Sequence, residues 1–231
     1  MSSHQEILRV AIIGAAGRMG LFADRWLSAQ ANFEVVDRIY SKDDLPKVLA
    51  ASQAHVALDL TRASLGARHA KLILEAGLRP VIGTSGVDSM EDEALDQLAR
   101  ERGLGGLIVP NFSLGVCLQQ KLSLLAAQAM GVVEIVEEHH LRKVDKPSAT
   151  ALDTAQRIHE VLPAGSAPVP IHSIRTLGVH SNQTVICTGP GEVLRIVHET
   201  YDLEAFGPGM CLAIQHVMGQ IGMSRGLQHC L

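Results

Sequence analysis

The densest chemistry in the sequence lies in Glu137-Glu138-His139-His140-Leu141-Arg142-Lys143-Val144-Asp145-Lys146-Pro147-Ser148-Ala149-Thr150-Ala151. Adjacent histidines, followed by Arg142, Lys143 and Lys146, gather proton donors and positive charge within a few residues. Histidine is the natural donor because its pKa lies near the working pH. Pro147-Ser148 then opens a helix, whose first N–H groups lack intrahelical partners and form a ready anion site. Together these features suit a small anionic carboxylate that must be held while a proton is delivered. The competing readings are a surface histidine pair and a solvated lysine face, and the loop alone does not decide between them. A metal centre needs a further ligand at recognisable spacing, and the sequence offers none.

A second constellation is Gly14-Ala15-Ala16-Gly17-Arg18-Met19-Gly20, set between the apolar run Leu8 to Ile13 and a helical pattern with Met19, Phe22, Trp26 and Leu27. Glycines here let the chain turn tightly and let backbone N–H groups approach a pyrophosphate, to which the helix N-terminus adds partial positive charge. Such a turn can also be purely structural. Its strand–turn–helix context favours a dinucleotide, with Gly14, Ala16, Gly17, Arg18 and Met19 as contacts. An acidic residue about 20 positions on usually binds the ribose of NAD. Asp37 has that spacing but falls inside the predicted strand 33–40. The strand ends instead in Tyr40-Ser41-Lys42, with Arg38 nearby. A hydroxyl beside cations suits a 2′-phosphate, so Ser41 and Lys42 point to NADPH, with NADH as the alternative.

Several elements must position these groups. Strands are expected at 8–13, 33–40, 55–60, 80–82 and 107–109, alternating with helices at 47–51, 68–76 and 91–101. That rhythm predicts an α/β fold, a Rossmann-type doubly wound parallel sheet over residues 1–110. After Pro110 the rhythm changes. A helix over 115–130, a strand over 132–137 and a helix over 148–162 lead to strands near 171–175, 183–188 and 193–200. This predicts an α+β second domain with a mixed sheet over 111–206. A final helix at 210–219 is expected to return the segment 207–231 to the first domain.

Composition limits the partners. Only 3% of residues are aromatic and the formal charge is −4, which gives no general reason to expect nucleic acid or an anionic membrane. Met1 to Arg9 carries Glu6 and lacks the basic start and apolar stretch of a signal peptide. No apolar run of about 18 residues is present to span a bilayer. Cys117, Cys187, Cys211 and Cys230 are scattered, so reduced thiols in the cytoplasm are expected.

The pattern His-His-x-x-Lys-x-Asp-x-Pro-Ser-x-Thr-Ala resembles the signature of the dihydrodipicolinate reductases. In that family's order also stand the Gly-x-x-Gly-Arg-Met-Gly turn, Asp59-Leu60-Thr61, Gly83-Thr84-Ser85-Gly86 and Pro110-Asn111-Phe112-Ser113-Leu114-Gly115-Val116. Ile171-His172-Ser173-Ile174-Arg175, Gly191-Glu192 and the segment Phe206 to Gly209 follow in the same order. The resemblance spans nearly the whole chain. It implies a dinucleotide on the glycine turn, with the nicotinamide near Gly83, Thr84, Ser85, Pro110, Asn111 and Phe112. It implies that His139 is the general acid and Lys143 its partner. His140, Lys143, Ser148, Ala149 and Thr150 would then grip the substrate carboxylates. Reduction of 4-hydroxy-tetrahydrodipicolinate to tetrahydrodipicolinate in lysine and diaminopimelate biosynthesis is the implied activity, in a homotetramer assembled through the second domain's sheet.

Four places depart from the family, one of them Leu177-Gly178, where the family usually has Gly-Gly after the arginine. Ala149 replaces the glycine of Pro-Ser-Gly-Thr. Ser181-Asn182-Gln183 replaces a Gly-Glu/Asp-His segment, and Leu203 stands where many members carry arginine. These changes predict a pocket weaker for a dicarboxylate. They leave open a divergent paralogue reducing another cyclic imine or enamine carboxylate, and a non-catalytic binding or assembly protein on the same fold.

Overall fold

The structure, a computed structural model, describes residues 7–84 and 89–231. The chain forms two compact units, residues 1–112 with 206–231, and residues 113–205.

The first unit is built on a six-stranded sheet. Its strands are β1 (Leu8–Ile13), β2 (Phe33–Ile39), β3 (Val56–Asp59), β4 (Arg79–Ile82), β5 (Gly105–Ile108) and β10 (Gly222–Arg225). All pair in parallel, in the order β10-β5-β4-β3-β1-β2. Helices α1 (Arg18–Ser28), α2 (Leu45–Ala51), α3 (Gly66–Glu75) and α4 (Ser89–Glu101) connect them, and α7 (Gly207–Met218) precedes the last strand. β3, β4 and β5 are almost continuously buried, as a parallel sheet covered on both faces requires. One core joins Ala11 and Ile13 to Ile73, Leu74, Ile82 and Ile108.

β10 lies outside the expected strands. Its Gly-Met-Ser-Arg sequence has no apolar pattern, and its place is set by contacts distant in sequence. Arg225 binds Asp92 of α4 through two hydrogen bonds of 2.8 and 2.7 Å. β5 begins two residues earlier than the apolar pattern indicates, because a Cβ on Gly106 would run into Met223 of β10. The paired glycines let the edge strand come close.

The second unit carries a mixed sheet of β6 (Val132–His140), β7 (Ile171–Thr176), β8 (Ser181–Gly189) and β9 (Glu192–Thr200), in the order β7-β6-β8-β9. β6 and β7 are parallel, while the other pairs are antiparallel. Helices α5 (Leu114–Met130) and α6 (Ala149–Val161) pack with it around Ala127, Ile135, Ala151, Ile158 and Val185. Ser113 caps α5 and Ser148 caps α6, each accepting a backbone N–H three residues on.

Candidate active site

At the glycine turn, Gly14 adopts φ +83°, a left-handed conformation that favours glycine. Its N–H donates to Ile39 O at 2.9 Å, which ties the turn to β2. Gly17 is the N-cap residue of α1, whose first turn holds no acidic side chain. A Cβ on Gly20 would collide with the backbone of Gly14 and Ala15, so this glycine lets α1 pack against the turn.

The turn opens on a cavity of about 840 Å³ lined by Gly14, Ala16, Gly17, Tyr40, Ser41, Asp43, Thr61, Arg62, Arg68 and His69, among others. Backbone free of side chains, an uncapped helix N-terminus and two cations in one cavity fit a pyrophosphate-bearing dinucleotide. Beneath it, Asp59 is fully buried. It accepts from Thr61 Oγ1 at 2.6 Å and lies 2.9 Å from His69 Nδ1, holding the end of β3 in place.

The cavity gathers only some of the expected ribose contacts. Ser41 lines the cavity, but Lys42, Arg18 and Met19 do not. Arg38 is engaged by Asp24 of α1 through a two-pronged ion pair, and Asp37 accepts from Ser52 Oγ. The cations that line the cavity are Arg62 and Arg68, neither of which sequence spacing singled out. Both follow β3 rather than β2, so only the adjacency of β3, β1 and β2 in the sheet brings them beside Ser41. Asp43 also lines the cavity, where it accepts from Tyr40 N at 2.7 Å.

Gly83, Thr84, Pro110, Asn111 and Phe112 follow the C-terminal ends of β4 and β5, the side of a parallel sheet on which ligands bind. A Cβ on Gly83 would clash with the Phe112 ring and with Leu60, so these residues form one packed ridge. The Thr84 hydroxyl is buried with no hydrogen-bond partner among the described residues. Ser85 lies outside the described residues.

In the second unit the histidines are part of β6 itself, not of a loop after it. Alternation along a strand puts Glu137 and His139 on one face. Glu137 Oε2 lies 2.5 Å from His139 Nδ1. The other Glu137 oxygen meets Arg175 Nη2 of β7 at 2.9 Å. These side chains are almost wholly buried, at 13% exposure for His139, 0% for Glu137 and 6% for Arg175. Burial pushes the His139 pKa below the ordinary imidazole value; Glu137 opposes that shift, while Lys143 and Arg175 add to it. Burial alone would raise the Glu137 pKa, yet Arg175, Ser173 and His139 together hold it below the usual carboxylate value.

Lys143 Nζ is paired with Asp145 at 2.7 Å. Arg175 donates to the backbone carbonyls of Lys143 and Asp145, at 3.3 and 2.6 Å, and so fixes the loop that carries the lysine. Glu137 and Arg175 were not among the residues singled out for chemistry. The signal for Glu137 was its i, i+2 spacing from His139 on a strand. That for Arg175 was its register opposite His139, which only the pairing of β6 with β7 reveals. His140 leaves the strand toward the other face, where its ring stands edge-on to His180 at 6.5 Å between centroids.

Ser148 is buried as the cap of α6, its Oγ bonded to Ala151 N at 3.2 Å. Ala149 and Thr150 form the first turn. Ala149 has no positive φ, so the methyl group there costs no backbone strain. The Ser181–Gln183 segment is engaged within the second unit. Gln183 is buried against Gln119 and Thr154, with its amide bonded to both, and Asn182 accepts from Thr200 N. Leu203 sits half-buried in a short 3-10 turn. No helix among the described residues is long and apolar enough to cross a membrane.

Comparison with known proteins places this geometry in a family. Residues 8–112 match the family model described as dihydrodipicolinate reductase, N-terminus, and residues 115–231 the one described as its C-terminus. The chain is 34% identical to the 4-hydroxy-tetrahydrodipicolinate reductase of Bacillus licheniformis, with 98% of this chain and 99% of that protein covered. It is 36% identical to the enzyme of the same name from Legionella pneumophila, with 96% and 99% covered. A solved dipicolinate-bound dihydrodipicolinate reductase from Paenisporosarcina sp. TG-14 superposes with a TM-score of 0.87 at 29% identity, covering 97% of this chain and all of that one. A probable dehydrogenase from Thermotoga maritima, at 10% identity and a TM-score of 0.67, shares the fold alone. Two matching domain models and full-length relatives therefore show that this chain belongs to the dihydrodipicolinate reductase family of oxidoreductases.

Proposed function

We propose that the chain reduces 4-hydroxy-tetrahydrodipicolinate to tetrahydrodipicolinate in the diaminopimelate and lysine pathway, using NADPH. The observation that carries this reading is His139, held in a buried charged cluster at the end of β6, with Lys143 near enough to influence its titration. Bound NADPH supplies the hydride. His139 supplies the proton, and one water leaves, so the overall change is one hydride and one proton in, one water out. Lys143 carries positive charge to the substrate. Ser148, Ala149 and Thr150 provide the carboxylate grip through the first turn of α6.

The test compares inhibition by pyridine-2,6-dicarboxylate with that by pyridine-2-carboxylate. A second carboxylate held by a charge-assisted bond is worth about 1.5–3 kcal/mol, so the dicarboxylate should bind roughly ten- to a hundredfold more tightly. Equal binding would mean that one anion site is lost and that a monocarboxylate imine is the substrate.

NADPH is favoured over NADH because Arg62 and Arg68 line the cavity beside Ser41. The carboxylates of Asp43 and Asp44 are both engaged with backbone N–H groups. A kcat/KM ratio of at least about tenfold toward NADPH is expected, one charge-assisted contact to the 2′-phosphate being worth that much. Replacement of Arg68 by alanine should shrink it. A ratio favouring NADH would assign the ribose to Asp43 instead.

A homotetramer is supported by the outer face of the second unit's sheet, where Val132, Ile174, Val193 and Val197 are between 42% and 61% exposed.

A further inference from the structure

We propose that Glu137 is the positioning residue for the proton donor: its carboxylate, clamped by Arg175, accepts the Nδ1–H of His139 and so presents Nε2 as the atom that delivers the proton. The inference rests on the reading of His139 as the donor and adds the group that orients it.

Three observations converge. Glu137 and His139 are two apart on β6, so strand geometry alone sets them side by side on the same face. Glu137 is wholly buried, and its far oxygen is ion-paired with a guanidinium that is itself almost wholly buried. Arg175 stands opposite His139 in the parallel register and also binds the carbonyls of Lys143 and Asp145. One arginine thus sets both the carboxylate that orients the imidazole and the loop that brings Lys143. A carboxylate on one ring nitrogen selects the tautomer and stabilises the imidazolium. A general acid needs both, because it must be charged before transfer and must expose the correct nitrogen. In the step itself the Nε2–H bond breaks, the proton passes to the substrate and the electron pair stays on Nε2. The imidazole is then neutral, with Nδ1–H still bonded to Glu137, and regains its proton from solvent.

The groups acting on His139 are Glu137 of β6, Arg175 of β7 and Lys143 of the following loop. Its register partner on β8 is the uncharged Ser181. Glu137 is the one acid among them, so it alone opposes burial and the two cations. Removing its charge must lower the His139 pKa. The charged donor is lost as pH rises through that pKa, so the descending limb of kcat/KM must move to lower pH.

The experiment has two arms on the full-length protein. In Glu137→Gln, which keeps shape and removes charge, the descending limb should shift down by about one pH unit or more, with roughly a tenfold loss of kcat/KM near neutral pH. The same change in a His139→Gln background should cost little further, since the effect acts through the imidazole. In the unmutated protein, long-range 1H–15N correlation spectra above the His139 pKa should show Nδ1 protonated and Nε2 bare. This second arm decides the question even if the variant does not fold. A limb left in place while activity falls, or an Nε2–H tautomer in the spectra, overturns the proposal. If His139→Gln itself retains normal turnover, it is the donor assignment that fails.

Discussion

His139→Gln is expected to lower kcat by about 10²–10⁴-fold while changing KM only modestly. A positioned general acid contributes a factor of that size, and the loss falls on the transition state because proton transfer does not occur in the ground-state complex. The buried setting argues that the loss is chemical rather than structural. Glutamine can still meet Glu137 through its amide, so the carboxylate and Arg175 keep partners. Lys143→Ala should behave differently. Lys143 is 22% exposed and paired with Asp145, so its charge serves substrate binding as well as the reaction, and both kcat and KM should suffer. Steady-state kinetics with freshly generated 4-hydroxy-tetrahydrodipicolinate make the comparison. Near-normal turnover in His139→Gln would remove this histidine from the mechanism.

The second large effect is expected at the glycine turn, where two glycines have different reasons to be glycine. Gly17 is exposed and lines the cavity, and a Cβ there meets only Gly14 O, at 3.3 Å. Gly17→Leu should therefore leave the unit folded and fill the space where a pyrophosphate would approach. The loss of one charge-assisted contact alone predicts roughly a ten- to hundredfold weaker dinucleotide affinity, and steric exclusion adds to it. Gly20 is buried, and its Cβ would enter the backbone of Gly14. Gly20→Leu should act on stability, by about 1–3 kcal/mol as for other overpacked sites. Calorimetry with NADPH and thermal unfolding separate the two. Undiminished affinity in Gly17→Leu would take the dinucleotide away from this turn.

Much of the first unit could be read from local pattern. Short apolar runs indicated β1, β3 and β4, because strands buried on both faces are made mostly of apolar residues. The end of β6 was harder to read. Glu137 to His140 looks polar enough to be a loop, since the cue of apolar alternation disappears where a strand's inward face holds a charged cluster. β10 was invisible for a related reason: its four residues gain their conformation from Gly105, Gly106, Asp92 and Asp96, far away in the chain.

The sequence by itself determined which chemical groups the protein owns and where local geometry could hold them. The serine cap of α6 is a short-range feature, and its conformation follows from residues within a turn. Tertiary structure decided which groups meet. Strand order set Arg62 and Arg68, rather than Lys42 and Arg38, in the cavity with Ser41. The pairing of β8 with β6 and β9 turned Gln183 toward Gln119 and Thr154, and the register of β6 with β7 placed Arg175 on Glu137. Each of these is a contact across a sheet, between residues whose separation along the chain carries no information about their distance in space.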